Sequence, residues 1–443
     1  MENDSTRQPP SEGATDILTI GFGTTVGMWA VAFVCRMPPA VVPNSVLGVA
    51  ILFCLVVGGF WAGRCTGRGW KGGALSGLVA AVLNLLVLGS LLGGNGPNVI
   101  VPRAFWWVPG WLLISICLGA IGALVGAGKP TPGIRHNWTW SFVNVSVSAT
   151  FLLLVVGGLV TSNDAGLAVV DWPNSFGHNM FLYPLSRMTG GVYYEHSHRL
   201  IGSLVGLTTL VAVFLLFRKE SRSWIKVLAC VAVVAVVIQG ILGGLRVTGR
   251  FTLSTSPTDT SPSLVLAVVH GVFGQVFFTF LVALSAFTST SWKRGRPAPP
   301  SPSRRLDSRL AGGLVLLLVP QLVLGALQRH FGILLVWHLT LAGFVALSAF
   351  VLGVRVWGLY PDESPLRGFG AALLVVTGVQ ILLGFGSLVT IVPMGDSHTL
   401  QSPLQVMVAT SHQAVGAILL AAAVSLFLWL QWETGELQER TAN

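Results

Sequence analysis

The residues best suited to chemistry in this sequence are one carboxylate and four histidines that lie within apolar stretches. Glu195 stands three residues before the first histidine, in the segment YYEHSHRLIGSLVG. Imidazole nitrogens bind transition metals, and a carboxylate inside a membrane or a protein core is suited to proton transfer or charge stabilisation. The pattern therefore indicates metal ligation with an acid beside one ligand. The four histidines are His198, His270, His338 and His412.

These histidines form two pairs with nearly equal spacing. His198 and His270 are 72 residues apart, and His338 and His412 are 74 apart. A glutamine and a glycine four residues apart precede the second histidine of each pair, and a third such combination opens the second half. The spacing predicts a parallel repeat of two four-helix bundles. The combinations are Gln239 with Gly243, Gln380 with Gly384, and Gln321 with Gly325.

A small residue follows each histidine by four positions. Residues four apart share one helix face, so each imidazole is expected to have a shallow notch beside it that admits a flat macrocycle. A single intramembrane histidine is equally suited to interhelical hydrogen bonding, but four in matched pairs favour axial ligation of haem iron. The small residues are Gly202, Gly274, Ala342 and Gly416.

Only one of the four histidines has an acid beside it. The positions equivalent to Glu195 are occupied by Ala267, Leu335 and Ala409. A carboxylate early in a helix also stabilises the helix dipole, but beside a ligand in an apolar bundle it favours a catalytic role. We expect residues 161–194 to form a long outer loop that ends at this acid. Such a loop acts as a lid over the site or is a dispensable insertion.

Composition predicts a polytopic membrane protein, because 53% of the 443 residues are hydrophobic and 9% are charged. The net charge of +10 fits basic residues held on the cytoplasmic side rather than nucleic-acid binding. The five cysteines show no paired pattern and are expected to be inert. The N-terminus lacks the features of a signal or transit peptide, so we expect no cleavage.

Twelve apolar runs are long enough to span a bilayer. They begin near residues 17, 44, 72, 105, 138, 197, 224, 264, 309, 333, 366 and 405. Placing both termini in the cytoplasm puts most basic loop residues inside and the four histidines near the outer leaflet. We expect an accessory region at 1–130, a first four-helix bundle at 138–290, a basic, proline-rich linker at 291–308 and a second bundle at 309–432.

Several segments resemble the haem A synthase family, membrane enzymes that convert haem O into haem A for cytochrome oxidases. The resemblance covers about residues 138–432. The matching segments are GGLVTSNDAGLAVVDWP at 157–173, EHSHR at 195–199, QGILGGLRVTGR at 239–250, VHGVFGQ at 269–275, Trp337 with His338, QILLGFGSLVT at 380–390 and TSHQAVGAILL at 410–420.

The resemblance implies that His198 and His270 hold the substrate haem, that Glu195 is catalytic, and that His338 and His412 ligate a resident haem b. It also implies oxidation of one porphyrin methyl group to a formyl group. Arg199 is expected to bind a haem propionate or to anchor the helix at the interface. The expected partners are haem O, an electron partner, haem O synthase or oxidase assembly factors, and the lipid of a bacterial inner membrane.

Two features depart from the family pattern. Many members carry a cysteine pair in the outer loop, where this chain has Val169 and Ser175, so a loop disulfide is absent. Residues 1–130 add four spans to the eight-helix core. The alternative function is a two-haem electron carrier that leaves its haem unmodified, but that function gives no purpose to Glu195. Neither a transporter nor a scaffold explains the paired histidines.

Overall fold

The computed structural model of the chain describes residues 14–39, 41–94, 96–127, 136–249, 261–294, 302–391 and 402–433. Within these ranges the backbone forms thirteen α helices and no β strand. The helices are α1 Thr15–Arg36, α2 Asn44–Cys65, α3 Trp70–Leu92, α4 Ala104–Gly126, α5 Trp138–Ser162, α6 Gly190–Lys219, α7 Ser223–Thr248, α8 Leu264–Thr288, α9 Thr290–Arg294, α10 Pro302–Phe331, α11 Leu335–Leu359, α12 Ser364–Ile391 and α13 Pro403–Glu433.

Twelve of these helices, all but the short α9, are long and apolar enough to cross a membrane. The all-helical fold and the twelve spans predicted from hydropathy are therefore confirmed. Two helices begin about two turns earlier than the apolar pattern predicts, α6 at Gly190 and α10 at Pro302. Polar side chains in these added turns have partners within the protein, as the ion pair from Arg304 to Glu363 (2.6 Å) illustrates, so hydropathy alone misses the turns.

The chain divides into two compact units. The first comprises residues 1–88 and 101–145, and the second comprises residues 89–100 and 146–443. The predicted boundary near residue 130 and the division of the remainder into two repeated bundles stay predictions. The expectations for the N-terminal segment before residue 14, for Lys129 and Arg135, and for part of the linker, 295–301, fall outside the described residues.

The first unit holds its helices together through polar pairs and close backbone approach. Arg68 forms an ion pair of 2.7 Å with the buried Asp16, and the Trp29 indole donates to Asn84 Oδ1 at 2.9 Å. Gly59 of α2 lies against the backbone of Gly119 in α4, where a Cβ atom would overlap the Gly119 carbonyl. Small residues of this kind permit tight packing of membrane helices.

Two groups of four helices in the second unit carry the candidate site. We call α5–α8 the first quartet and α10–α13 the second quartet. A loop of residues 163–189, which contains two short 3₁₀ turns, joins α5 to α6. In the second quartet α10 and α11 are joined by residues 332–334 alone. We call residues 163–189 the outer loop.

Candidate functional site

The structure brings the four histidines together as the two predicted pairs. The rings of His198 in α6 and His270 in α8 have centroids 6.3 Å apart and planes at 77°. The rings of His338 in α11 and His412 in α13 have centroids 6.4 Å apart and planes at 80°. Each histidine lies within the first three turns of its helix. The two quartets therefore build the same pair of facing imidazoles.

The separation within each pair suits one metal atom between two imidazoles. Metal–imidazole bonds of about 2.0 Å on each side, together with the two half-rings, place ring centroids roughly 6 Å apart. The observed 6.3 and 6.4 Å fit this arrangement. Bis-histidine ligation of a haem iron is thus compatible with both pairs.

Each ring lies against a glycine of the preceding helix. A Cβ atom placed on any of the four glycines would come within 3.0 Å of the ring Cε1 atom, so a larger residue would displace the ring. Three of these glycines belong to the glutamine–glycine combinations, and the fourth has Leu153 in place of glutamine. The contacts are Gly157 with His198, Gly243 with His270, Gly325 with His338, and Gly384 with His412.

Two of the small residues predicted as notches lie against a glutamine of the preceding helix, and their predicted role as notches stays a prediction. A Cβ atom on Gly274 would lie 3.0 Å from the Gln239 amide nitrogen, and one on Gly416 would lie 3.2 Å from that of Gln380. These glycines therefore make room for a glutamine. Gly202 has no atom within 4 Å of such a Cβ, so a notch beside His198 stays a prediction.

The glutamines hold the helix that carries the histidine. Gln239 Nε2 donates to the backbone carbonyl of His270 at 2.9 Å, and Gln321 Nε2 donates to that of His338 at 3.1 Å. The first quartet lacks this bond at His198, where Leu153 takes the glutamine position. Glutamine side chains thus hold the backbones of His270 and His338, and a glycine seats each of the four rings.

Three of the rings keep a buried nitrogen without a partner. Nδ1 of His198, His270 and His412 makes no hydrogen bond within the described residues, although a backbone carbonyl lies beside each ring. In metal-binding histidines an Nδ1–H that faces a carbonyl sets the tautomer and leaves Nε2 for the metal. The carbonyl beside each of these rings, the glycine seats and the ring spacing all fit haem.

Glu195 is buried, with 6% of its surface exposed. Its Oε1 accepts a hydrogen bond of 3.1 Å from Arg199, whereas Oε2 is buried and has no partner within the described residues. Glu195 is the sixth residue of α6, beyond the first turn in which the helix dipole acts most strongly. The position of Glu195 therefore argues against a role in stabilising the helix dipole. One carboxylate oxygen, Oε2, is available for another interaction.

Arg199 fastens the outer loop to α6. One guanidinium nitrogen donates to the carbonyls of Asp171 (2.6 Å) and Asn174 (2.9 Å), and the other donates to Val169 (2.8 Å) and to Glu195. The side chain is nearly enclosed. These bonds use the two terminal nitrogens of Arg199 within the protein, and its roles at a propionate or at the interface stay predictions.

Further contacts hold the loop over the start of α6. His196, which is fully buried, lies with Nδ1 3.0 Å from Ser175 Oγ and with its ring 5.0 Å from that of Tyr183. Burial, with the nearby Arg187, lowers the pKa of His178 in the same loop, partly offset by Asp171, and this keeps that ring neutral.

The segment 89–100 also contacts the outer loop. Asn98 Oδ1 accepts a hydrogen bond of 2.7 Å from the backbone of Asn179. A Cβ atom on Gly89 or Gly93 would overlap the carbonyl of Phe181 or Leu182, respectively. This segment, which the sequence reasoning assigned to an accessory region without a site, supports the loop beside Glu195.

Arg246 is a residue near the site that the sequence reasoning missed. It lies in the last turn of α7, one turn after Gly243, and its guanidinium lies against Gly166 of the outer loop. It is within electrostatic reach of Glu195, His198 and His270. A basic residue inside the motif QGILGGLRVTGR was the available signal.

Comparisons with known proteins identify related membrane proteins. Residues 139–337 match the COX15-CtaA family model, described as cytochrome oxidase assembly protein. The chain is 25% identical over 187 residues to a heme A synthase of Parvibaculum lavamentivorans, covering 36% of this chain and 54% of that protein. It is 27% identical over 220 residues to a heme A synthase of Beijerinckia indica, covering 43% of this chain and 56% of that protein.

A heme A synthase of Halalkalibacterium halodurans is 27% identical over 153 residues, which cover 34% of this chain and 45% of the relative. The chain spans about half the length of the curated relatives it matches. No solved structure is significantly similar to it. The matches confirm the family resemblance that the motifs indicated.

Proposed function

We propose that this chain is a haem A synthase, which oxidises one methyl group of haem O through the alcohol to the aldehyde level and so forms haem A. One observation carries the proposal. Of two histidine pairs with matching geometry, only the pair of His198 and His270 has a buried carboxylate one turn from a ring among the residues that the structure describes. The match of residues 139–337 to cytochrome oxidase assembly proteins supports the same activity.

In this proposal the first quartet binds the substrate and the second binds a resident cofactor. His198 and His270 hold haem O, and His338 and His412 hold haem b. The glycine seats and the ring spacing support both assignments. When bound, haem b supplies a one-electron redox centre. The residues around it then need only hold the macrocycle, which agrees with the absence of an acid at Leu335 and Ala409.

Glu195 is the proposed catalytic residue. Arg199 fixes Oε1, while Oε2 is left without a partner among the described residues. An unsatisfied buried acceptor costs roughly 1–3 kcal/mol, so a free oxygen here indicates a group kept for reaction. Oxidation of a methyl or hydroxymethyl carbon releases protons, and Oε2 is the atom that accepts one. The carboxylate form also stabilises positive charge that develops at the carbon.

The outer loop serves as the cover of the substrate site. Arg199, His196 and the segment 89–100 hold it in place. Exclusion of water strengthens the electrostatic effect of Glu195 and limits side reactions. The loop is thus fixed by hydrogen bonds in a chain that lacks the cysteine pair.

We further propose that the chain lies in a bacterial inner membrane with both termini in the cytoplasm, so that the histidine pairs lie near the outer leaflet. The distribution of basic residues supports this orientation. Haem O synthase is the proposed source of substrate, and oxidase assembly factors are the proposed acceptors of product. Transfer of electrons to or from the site requires a partner protein or a membrane redox carrier.

The direct test is expression with haem O supplied, followed by pigment extraction and mass measurement. We expect a pigment that has gained one oxygen and lost two hydrogens relative to haem O. A cell line with the empty vector corrects for endogenous conversion. Quantitative recovery of unmodified haem O from a chain that binds two haems would contradict the proposal and favour the electron carrier.

A further inference from the structure

The proposed chemistry gives no role to Arg246, a half-buried cation beside the substrate site. Its guanidinium lies between the outer loop, at Gly166, and the first histidine pair. The guanidinium donates no hydrogen bond to any described residue. No carboxylate among those residues lies within ion-pair distance of the guanidinium. A guanidinium carries five donors and is costly to withdraw from water without an anion. Its surroundings therefore suit an anionic ligand.

A porphyrin held by two axial histidines needs a further contact. Axial bonds set the plane and depth of the macrocycle but leave rotation about the axis between His198 and His270 unspecified. One particular methyl group must reach Glu195 for selective oxidation, so a contact at the ring edge has to define the rotation. The charged groups at the edge of haem O are its two propionate carboxylates, which a guanidinium binds in a bidentate manner.

We propose that Arg246 binds a propionate carboxylate of the substrate and thereby places the reacting methyl group at Glu195. This inference rests on the proposed function for the identity of the substrate. Arg199, the other cation nearby, has its donors committed to the outer loop and to Glu195. Arg246 is accordingly the cation of this site that is free to bind a ligand.

The second quartet supports the assignment by contrast. Ser387 occupies the position of Arg246, since each lies seven residues after the glutamine of its helix and three after the glycine that seats the ring. The Ser387 hydroxyl is buried and has no partner within the described residues. A cofactor that is not modified has no methyl group to select, so no anchor that fixes its rotation is needed at this position.

The test compares haem O with its dimethyl ester, in which both propionates are neutral. Each is titrated into the purified full-length chain whose second site is already filled, and binding is followed by the low-spin spectrum of the first site. The wild type should bind the ester roughly 10- to 100-fold more weakly, the range expected for loss of one charged hydrogen-bonded contact. Arg246→Gln should bind both forms with the affinity that the wild type has for the ester.

Arg329→Gln is the matched control, because the Arg329 guanidinium donates to the Thr161 carbonyl at 2.6 Å and should not recognise the propionate. Arg329→Gln should keep the wild-type preference for haem O over its dimethyl ester. Arg246→Lys should keep part of that preference. Equal affinity of the wild type for both forms overturns the proposal, even if Arg246→Gln does not fold. The proposal is also overturned if Arg246→Gln keeps the full wild-type preference for haem O over its dimethyl ester.

The outcome is separable from that of the proposed function, because binding is measured without turnover. If haem A forms but the wild type does not discriminate against the ester, the anchor is wrong and the activity stands. If the ester is bound weakly and Arg246→Gln abolishes the difference while no haem A forms, the anchor stands and the activity is wrong.

Discussion

The two helix quartets present the same histidine pair in different surroundings. Both hold facing imidazoles just over 6 Å apart and seat each ring on a glycine. The first quartet adds Glu195, Arg246 and a loop of 27 residues, 163–189, whereas the second has Leu335, Ser387 and a three-residue turn. In the proposed function, the shared geometry serves haem binding and the added groups serve the reaction.

The largest expected effect comes from removing Glu195, the acid three residues before a paired histidine, where the second quartet has Leu335 and Ala409. Glu195→Gln should lower haem A formation by at least about 100-fold, the usual scale for loss of an acid–base group, because the amide cannot accept the proton. Product is measured by pigment extraction, and the haem spectrum should persist. Glu220→Gln, at the opposite end of α6, should leave product formation unchanged. Normal product from Glu195→Gln would remove the main distinction between the quartets.

Removal of a ligand from the second quartet should affect one site alone. His338→Ala should eliminate one low-spin haem signal, because the remaining His412 cannot complete a bis-histidine site. The signal from His198 and His270 should remain when haem O is supplied. The measurement is the haem content of the purified protein with its reduced spectrum. If both low-spin signals persist in His338→Ala, the two histidine pairs are not separate haem sites. His330→Ala, in the last turn of α10, serves as a control.

The glycine seats should respond alike in both quartets. Gly243→Ala places a methyl group within 3.0 Å of the His270 ring, and the resulting overpacking should cost about 1–3 kcal/mol, observed as weaker haem binding or a shifted spectrum. Gly384→Ala should have the same effect on His412. The matched controls are Gly240→Ala and Gly378→Ala, which meet no atom within 4 Å. Equal losses in the controls would mean that general helix packing is responsible.

The smallest expected effect concerns the end of α6 remote from the histidines. Burial raises the pKa of Glu220, but hydrogen bonds and charge from Arg222, with the charge of Lys293, outweigh it and bring the pKa to about 2. A lowered carboxyl pKa stabilises the fold above the ordinary value of 4.5, and this contribution is lost as pH falls from there toward 2. The difference in melting temperature between the wild type and Glu220→Gln should therefore shrink on acidification over this range. If the difference in melting temperature stays constant over this pH range, the ion pair of Glu220 with Arg222 is not its cause.

Much of this architecture follows from the linear pattern. Apolar runs bounded by charge and proline predict the twelve spans, because a membrane helix needs a fixed length of apolar residues. The start of α6 at Gly190 was missed because Tyr193 and His196 are buried by the outer loop and not by lipid, and hydropathy does not distinguish the two. The pairs of histidines were predictable from their spacing, which repeats at 72 and 74 residues.

The contacts around the histidines were less predictable. The sequence reasoning sought space on the same helix, at Gly274 and Gly416, because residues four apart share a face. The rings instead lie on Gly243 and Gly384 of neighbouring helices, and a contact between helices depends on their crossing and rotation. The role of Arg199 was hidden for the same reason, since its acceptors are 25 to 30 residues away along the chain.

The sequence by itself determined the helices, the paired histidines and the unique acid, since these depend on composition and on spacing along one chain. Tertiary structure alone decided which glycine seats each ring, that Arg199 holds the outer loop, and that the Arg246 guanidinium lies against Gly166 within electrostatic reach of Glu195. The physical reason is that hydropathy and helical periodicity are local properties, whereas the partner of a side chain is chosen by how separate helices pack.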